Sequence, residues 1–361
     1  MDKELTSRID SVRSAVKEEL THYLAEQRDY LTSIASELVP VCDALEDYLL
    51  EGGKRLRPLF AYAGFMAAGA KPTRTDIRAM ASLELLQACA LIHDDLMDGS
   101  DTRRGKPAIH RHFESLHRQA SLAGVPEQFG AAAAVLLGDL ALVWSDHMLH
   151  NAGLPHESLM AALRIHDEMR IELMAGQYLD VREAGEKEFS VARSLRIARY
   201  KSGKYTIERP LHLGAVIASP AQSEHGQLLN VLSAYGLPLG EAFQLRDDLL
   251  GIFGNPDVTG KPAGDDLREG KRTVLMAMTL EKASAPARRE LQRDLGNPTL
   301  TVQRIEELRT IITETGAVAD VEKLIEQLAT ESTAAAQSSA IAADAQPFLL
   351  ALADSAIRRS H

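Results

Sequence analysis

Apolar residues recur at helical spacing along most of this chain, and that spacing limits the fold more than any other feature. Leu83 and Leu86 are three residues apart and Leu232 and Leu239 are seven apart, so each pair falls on one face of an α-helix. Runs of β-branched residues are almost absent, and aromatic residues amount to only 5%. The sequence therefore predicts an all-α fold of many helices joined by short connections.

The whole chain, 1–361, is predicted to form a single large helical domain, because it contains no repeat of fixed period and no long Gly/Ser linker. The segments that carry chemistry lie within about 45–280. A charged, amphipathic extension over 1–35 precedes them, and we expect it to form an exposed helix or a partner contact. The segment 281–361 is predicted to add further helices without a chemical motif.

Charge, cysteine content and hydropathy exclude several classes of function. A formal net charge of −11 disfavours binding to nucleic-acid phosphates. Cys42 and Cys89 are far apart and predict neither a disulfide framework nor a thiolate metal site. The longest apolar run, Ala131–Trp144, is interrupted by Gly138 and Asp139, so we expect a buried helix and no integral membrane segment. The N-terminus lacks the layout of a signal peptide, which favours a cytoplasmic protein.

The first candidate site is an acidic segment that contains Asp94, Asp95 and Asp98. Helical spacing places Asp94 and Asp98 on one face, where two like charges weaken a helix by about 0.2–0.5 kcal/mol. A cation between the carboxylates would remove that cost. Oxygen ligands of this kind suit Mg²⁺, which keeps several waters and shares substrate phosphates. A solvated helix face or helix end explains this segment equally well when it is taken alone.

A second acidic segment, with Asp247 and Asp248 between Phe243 and Gly251, repeats the pattern. Apolar residues flank both aspartate pairs, so neither pair resembles a loose acidic surface run. Two carboxylate groups that face each other across a cavity would hold metal ions on a shared diphosphate. The recurrence favours metal binding over a solvated surface.

Basic residues cluster in glycine-containing segments next to the acidic ones. In the segment Glu51–Pro58, paired glycines allow close backbone approach to a ligand, and Lys54, Arg55 and Arg57 offer phosphate donors. Further cations in such breaks of the helical pattern are Arg103, Arg104, Lys106, Lys201, Lys204, Lys261 and Lys271. Carboxylates for metals, together with separate cations for phosphates, predict a site for more than one diphosphate.

In order and spacing, these motifs resemble the trans-isoprenyl diphosphate synthases, or polyprenyl synthetases, over roughly Leu45 to Met278. The match consists of Gly-Gly-Lys-Arg-Leu-Arg-Pro, then Asp-Asp-x-x-Asp followed by Arg-Arg-Gly, then Phe-Gln-x-x-Asp-Asp followed by Gly-Lys-Pro. Terpene cyclases share Asp-Asp-x-x-Asp alone, whereas the combination is specific. The resemblance implies helices around a central cavity, usually in a homodimer. It also implies head-to-tail condensation of isopentenyl diphosphate with dimethylallyl, geranyl or farnesyl diphosphate.

The resemblance implies roles for individual residues by position. Asp94, Asp98 and Asp247 match the principal ligands of several Mg²⁺ ions, with Asp95 and Asp248 in support. The substrate-binding candidates are Lys54, Arg57 and Arg104 for isopentenyl diphosphate, Arg103, Lys201 and Lys261 for the allylic diphosphate with Lys271 assisting, and Gln244 near the reacting carbons. The candidate catalytic set is Asp94, Asp98, Asp247, Arg103, Lys201 and Gln244. Gln177 and Asp180 fall where the family has Gly-Gln-x-x-Asp.

Two positions depart from the family pattern. Many members carry His seven residues before the first aspartate as an isopentenyl diphosphate contact, and this chain has Gln87. An amide still donates a hydrogen bond but carries no charge, so Gln87 is a weaker binding candidate. The second acidic segment ends in Gly251 instead of a third aspartate, so no carboxylate is expected there.

Product length is predicted from the helix that precedes Asp94. An isoprene unit is about as long as one helical turn, ~5.4 Å, so the growing tail is expected to run back along this helix. Cys89 and Ala90 are small, whereas a bulky aromatic at either place tends to stop growth at farnesyl length in the family. The tail then reaches Leu86, or Ser82 one turn further. The expected product is geranylgeranyl diphosphate, with longer products left open.

Four alternatives remain. A farnesyl or longer-chain diphosphate synthase would share every motif. A terpene cyclase would need neither Lys54 nor Arg57 for a second diphosphate, and would normally contain more aromatic residues. A non-catalytic regulatory subunit would lose one or both acidic segments, yet this chain retains both. A purely structural helical protein leaves the paired carboxylates and glycine-flanked cations without a cause.

Overall fold

The computed structural model describes residues 3–186, 188–221, 226–254 and 264–358, and these are helical almost throughout, as predicted. The α-helices are α1 Lys3–Ile34, α2 Val39–Leu50, α3 Leu56–Ala67, α4 Arg74–Asp98, α5 Ile109–Gln119, α6 Pro126–His150, α7 His156–Ala184, α8 Val191–Ile197, α9 Arg209–Ala218, α10 Gln227–Phe253, α11 Asp265–Glu269, α12 Val274–Lys282, α13 Ala285–Asp294, α14 Val302–Glu314, α15 Ala317–Ala336 and α16 Gln346–Ile357. A π-helix covers Ala198–Glu208, and 3₁₀ turns cover Ser36–Leu38 and Ala343–Ala345. Strands β1 Thr102–Arg103 and β2 Lys106–Pro107 pair antiparallel.

The packing divides the chain into two compact units. The first consists of Met1–Arg164 and Pro210–His225, and the second of Ile165–Arg209 and Gly226–His361. The boundaries fall within α7 and at the beginning of α9. The organisation as one domain over 1–361 stays a prediction.

Helix α1 packs against α2, α3 and α4 in the first unit. Val16, Leu20 and Tyr23 are fully buried there, because apolar residues at this spacing share one face. The Tyr23 hydroxyl lies 3.0 Å from Nδ1 of His147 and 3.3 Å from the carbonyl oxygen of Trp144, both on α6. The expectation that the N-terminal helix is exposed is therefore wrong, since α1 belongs to the core of this unit.

Helix α6 has one buried face and one exposed face. Its buried face packs along α4, where Ser145 Oγ donates a hydrogen bond of 2.8 Å to the carbonyl oxygen of Ser82. The opposite face exposes Leu136 and Val143 by 66% and 61%. Among the described helices, α6 alone is long and apolar enough to cross a membrane, a test that core helices of water-soluble proteins also pass. The predicted buried helix is confirmed for one face only.

Helix α10 is the main core helix of the second unit and contacts both the π-helix and α15. Leu232, Leu239 and Leu245 are fully buried along it. The buried Tyr235 hydroxyl donates to the carbonyl oxygen of Leu349 on α16 at 2.8 Å. These contacts hold α10 in place, and its second half carries the acidic segment at Asp247 and Asp248.

Helices α3 and α9 of the first unit touch backbone to backbone. A Cβ added at Gly64 would lie 2.7 Å from the carbonyl carbon of Leu211, and a Cβ at Gly214 would lie 2.7 Å from that of Ala61. Both distances are well inside van der Waals contact. Only glycine at these two positions therefore permits the close crossing of α3 and α9.

We predict that Gly64→Ala lowers the free energy of unfolding by about 1–3 kcal/mol, because overpacking outweighs the ~1 kcal/mol that alanine usually gains over glycine in a helix. Urea denaturation followed by circular dichroism measures the change. Gly185→Ala is the control, since a Cβ there meets its nearest neighbour, the Arg182 carbonyl oxygen, at 3.5 Å. Equal unfolding midpoints for the Gly64 variant and the wild-type protein would contradict the prediction.

Candidate active site

The first acidic segment lies at the carboxyl end of α4. This helix begins with a capping box between Thr73 and Asp76 and ends at Asp98, where Gly99 adopts a left-handed conformation with φ of 67°. The carboxyl end of a helix carries partial negative charge, so aspartates are unfavourable there. A solvated helix end therefore does not explain the segment, and the position itself indicates a need for positive charge.

Arg103 supplies part of that positive charge. Its Nε donates to both carboxylate oxygens of Asp95, at 2.9 and 3.1 Å, and Nη2 also contacts Asp95 and lies 3.8 Å from Oδ2 of Asp94. Burial lowers the pKa of Arg103, but the hydrogen bonds to Asp95 outweigh burial and hold the pKa above its ordinary value. Asp95 is only 1% exposed. Its carboxylate therefore holds Arg103 beside Asp94, and metal ligation by Asp95 stays a prediction.

The hairpin β1–β2 brings Arg104 against the glycine-rich basic segment. Arg104 Nη1 donates to the carbonyl oxygens of Tyr48 and Glu51, at 3.3 and 3.2 Å. A Cβ added at Gly53 would lie 3.5 Å from Nη2 of Arg104, in ordinary van der Waals contact with the guanidinium. Gly53 also has φ of 83°, a conformation that glycine adopts at no steric cost. Two basic segments that are remote in sequence thus lie side by side.

The cations of the segment before α3 have different surroundings. Lys54 is exposed and Arg57 half-buried. Arg55 is buried, and its guanidinium pairs with Glu84 at 2.6 Å and donates to the carbonyl oxygen of Leu49. The prediction that Arg55 offers a phosphate donor is therefore wrong, because its charge is used inside the core.

The predicted tail-binding positions lie on α4. Leu86 is fully buried and Cys89 is 2% exposed, whereas Ala90 is half-buried. Cys89 Sγ lies 3.8 Å from Nδ1 of His93, whose Nε2 lies 3.2 Å from the carbonyl oxygen of Val135 on α6. Gln87 is half-buried on the same helix. Apolar burial at Leu86 and Cys89 is compatible with a hydrocarbon ligand, and the role in chain length stays a prediction.

In the second unit, Lys201 lies on the π-helix and pairs with Asp180 on α7, with Nζ 2.6 Å from Oδ2. The expectation that Lys201 and Lys204 lie in a break between helices is wrong, because the glycine-containing segment is helical. Isolated π turns are rare and frequently mark functional sites. Asp180, which the Gly-Gln-x-x-Asp pattern singled out, thus holds the ammonium group of a predicted substrate contact.

Two glycine contacts fix the π-helix. A Cβ at Gly176 would lie 2.8 Å from Cα of Lys201, and a Cβ at Gly240 would lie 2.9 Å from the carbonyl carbon of Gly203. The π-helix therefore touches α7 and α10 through backbone atoms. Lys204 is nearly buried and pairs with Glu172 and with Glu208, so it stabilises this packing.

Asp248 on α10 is buried, and Gln244 Nε2 donates to its Oδ1 at 2.8 Å. Burial raises the pKa of Asp248 to about 8, and the negative charges of Asp266 and Asp247 add to the effect. Two further carboxylates thus act on a group that is already costly to ionise. Such a cluster is short of positive charge near neutral pH, which is the property of a cation site that is built from oxygen ligands.

Asp266 is the residue that sequence reasoning missed. A Cβ added at Gly251 would lie 2.9 Å from one carboxylate oxygen of Asp266 and closer still to the other. The sequence predicted no carboxylate beside Gly251. That prediction is wrong, because Asp266 on α11 places its carboxylate there. Lys271 Nζ lies 3.8 Å from Oδ1 of Asp266 and 2.8 Å from Glu269. The sequence feature that could have identified Asp266 is the pair Asp265–Asp266, which lies before Lys271 in a glycine-rich basic segment.

The donor sets fit Mg²⁺ bound together with substrate. Among residues 3–186, 188–221, 226–254 and 264–358, no three His, Cys, Asp or Glu side chains converge into a cage of protein ligands alone. Mg²⁺ typically binds one or two carboxylates and completes its shell with waters and substrate phosphates. Asp94 with Asp98, and Asp247 with Asp266, offer such partial sets. Lys261 lies outside the described residues.

Comparisons with known proteins identify the family of this chain. The family model for polyprenyl synthetases matches residues 39–312. A geranylfarnesyl diphosphate synthase of Aeropyrum pernix is 34% identical over 74% of this chain and 77% of its own length. A farnesyl diphosphate synthase of Mycobacterium tuberculosis is 33% identical over 66% of this chain, which spans 59% of that relative.

A solved structure is similar over nearly its whole length. Geranylgeranyl pyrophosphate synthase from Corynebacterium glutamicum, complexed with isoprenyl diphosphate and magnesium, superposes with a TM-score of 0.92 at 42% identity. The match covers 97% of this chain and 99% of that one. The motif order, the helical fold and the extent of these matches lead to one conclusion: the chain belongs to the polyprenyl synthetase family.

Proposed function

We propose that this protein is a Mg²⁺-dependent trans-prenyltransferase that condenses isopentenyl diphosphate with an allylic diphosphate and releases diphosphate. The single observation that carries the proposal is the group in the first unit, where Asp94 and Asp95 lie beside Arg103 and Arg104 lies beside Gly53, with Asp98 one turn further along α4. Carboxylates alone indicate a metal. Carboxylates together with an adjoining set of guanidinium groups indicate a metal-bound phosphate substrate.

In the proposed reaction, the C–O bond of the allylic diphosphate breaks, the alkene of isopentenyl diphosphate forms a new C–C bond with the allylic carbon, and a proton is lost. Mg²⁺, when bound at Asp94, Asp98 and Asp247, would offset charge on the departing diphosphate. By the family positions that they match, Arg103 and Lys201 would each offset charge on the allylic diphosphate, and each is held in place by a carboxylate, Asp95 or Asp180. Their fixed positions reduce the reorganisation needed when the charge develops.

The remaining candidates would bind and orient the substrates. Lys54, Arg57 and Arg104 would bind isopentenyl diphosphate, with Gln87 contributing an amide. Gln244, fixed by Asp248, would lie near the reacting carbons, and Lys271 would assist with the allylic diphosphate. Orientation of two bound reactants supplies a large part of the rate in such condensations.

We propose geranylgeranyl diphosphate as the main product. The small side chains of Cys89 and Ala90 support it, as does the similarity to a geranylgeranyl pyrophosphate synthase at 42% identity. Relatives named for farnesyl and geranylfarnesyl products keep shorter and longer chains as the alternative. A regulatory subunit is a second class of function, and retention of all the carboxylates at Asp94, Asp98, Asp247 and Asp248 argues against it.

The protein incubated with Mg²⁺, labelled isopentenyl diphosphate and farnesyl diphosphate is expected to form a labelled prenyl diphosphate. Asp94→Asn should lower kcat by about 10²-fold or more, because one anionic metal ligand is lost. Asp101→Asn is the control, since that exposed carboxylate pairs with Arg111 at 2.7 Å, outside the carboxylate group. No incorporation by the wild-type protein with any allylic primer would refute the proposed function.

Cys89→Phe is expected to shorten the product from geranylgeranyl towards farnesyl diphosphate, because the larger ring would fill the space next to α4. Chromatography of dephosphorylated products measures the length. Cys89→Ser is the matched control, since it preserves size and should retain the wild-type product. An unchanged product length in the phenylalanine variant would contradict the assignment of Cys89 as a chain-length residue.

We also propose a homodimer formed through the exposed face of α6. Phe129, Val135, Leu136 and Val143 expose apolar side chains along this helix. Contiguous apolar surface of this kind commonly marks an interface. A second copy seated there would cover the apolar side chains of α6 without a lipid bilayer, and the location we propose is the cytoplasm.

Leu136→Glu should convert the dimer into a monomer, because a carboxylate would be buried against apolar surface. Light scattering coupled to size-exclusion chromatography measures the mass. Leu122→Glu changes an exposed leucine that precedes α6, and it should leave the mass unchanged. A dimeric mass for Leu136→Glu at micromolar concentration would exclude this face as the interface.

A further inference from the structure

The hydroxyl of Tyr48 is buried and has no hydrogen-bond partner among the described residues. Tyr48 lies on α2, about one turn before the glycine-rich basic segment. Nearly all buried polar atoms in folded proteins find a partner, and an unsatisfied one usually points to a water, an ion or a ligand. The position of this hydroxyl therefore needs an explanation.

Other buried tyrosines in this protein do find partners. The Tyr235 hydroxyl donates to the carbonyl oxygen of Leu349 at 2.8 Å, and the Tyr23 hydroxyl lies 3.0 Å from Nδ1 of His147. The packing can thus satisfy a buried phenol, and it does so twice at a distance from the candidate active site. Tyr48 differs because it lies next to that site.

Tyr48 lies next to the aspartates of α4 and the two arginines of the hairpin. The charges of Arg103, Asp95, Arg104 and Asp94 all act on its hydroxyl. The Arg104 guanidinium carbon lies 5.7 Å from the centre of the Tyr48 ring, and its Nη1 donates to the Tyr48 carbonyl oxygen at 3.3 Å. Tyr48 therefore contacts Arg104 through its ring and its carbonyl oxygen, and its buried hydroxyl lies within the electrostatic influence of Arg103 and Asp95.

The chemistry of the missing partner follows from these neighbours. Burial raises the pKa of Tyr48 well above its ordinary value, so the phenol stays protonated and is available as a donor. Arg103 and Arg104 attract an anion to the same place. A phosphate oxygen is an acceptor that satisfies both the guanidinium charges and the phenol.

We propose that Tyr48 is a further substrate-binding residue, whose hydroxyl donates a hydrogen bond to a diphosphate oxygen beside Arg103 and Arg104. The inference rests on the proposed function for the identity of the substrate. Isopentenyl diphosphate and the allylic diphosphate offer the same group, and separate kinetic measurements distinguish them.

Tyr48→Phe removes only the hydroxyl. In steady-state assays, the KM for one of the two diphosphates should rise by about tenfold or more, as expected for loss of a hydrogen bond to a charged oxygen. The KM for the other substrate should stay within about twofold. The melting temperature without substrates should be equal or higher, because no protein hydrogen bond is lost. Tyr235→Phe is the control, and it should lower the melting temperature and leave both KM values unchanged.

Titration calorimetry with inorganic diphosphate and Mg²⁺ tests binding without turnover, and Tyr48→Phe should weaken it relative to the wild-type protein. If the wild-type protein makes no prenyl product, the proposed function fails, while this binding comparison still decides the role of Tyr48. Unchanged KM values together with unchanged diphosphate affinity would overturn the inference. A fall in melting temperature with an equal rise of both KM values would identify a packing role and would overturn it as well.

Discussion

Repulsion among carboxylates at the carboxyl end of α4 is the constraint on which the first unit's site depends. Asp94, Asp95 and Asp98 occupy the end of a helix that is already partially negative. Arg103 neutralises one of them from a two-stranded hairpin, and the same hairpin places Arg104 against the glycine-rich segment. The hairpin, the only sheet within the described ranges, therefore lies where repulsion among the aspartates of α4 needs a nearby cation. Positive charge beyond Arg103 is left for a bound metal ion to provide.

Carboxylates also lie close together in the second unit, but their surroundings differ from those in the first. Burial and two neighbouring carboxylates raise the pKa of Asp248, and a glutamine amide is its hydrogen-bond donor. Close backbone contacts at Gly176 and Gly240 fix the π-helix that carries Lys201. In this unit, small residues set the distances between helices, and the charged side chains then reach their partners without strain in long side chains.

Much of the fold was predictable, because helical periodicity is a local property that a single sequence displays. Asp94, Arg103, Asp180 and Asp247, which the motifs singled out, do lie in charged surroundings, and the roles predicted for them stay predictions. What failed depended on tertiary packing. Arg55 looks like its neighbours Lys54 and Arg57 in sequence, and only the approach of Glu84 across the core separates it from them.

The same limit explains three further differences. The glycines near Lys201 suggested a break, whereas they mark close helix contacts within a π-helix. Gly251 suggested a missing carboxylate, whereas Asp266 occupies the space from another helix. The buried apolar face of α1 was visible as an amphipathic pattern, but its charge content suggested exposure. A carboxylate supplied by a distant segment produces no periodic pattern in the sequence. An unsatisfied hydroxyl such as that of Tyr48 produces none either.

Helix α6 has a consequence for how assembly and chemistry are connected. Its inner face contacts His93, the residue before Asp94, at Gly138, where a Cβ would lie 2.8 Å from Cε1 of the imidazole and closer still to two other ring atoms. Its outer face is the exposed apolar surface around Leu136. A single helix, about 10 Å in diameter, thus separates whatever binds outside from the turn that carries the aspartates. Because α6 packs along α4, the exposed apolar surface and the acidic end of α4 are connected through one layer of helix packing.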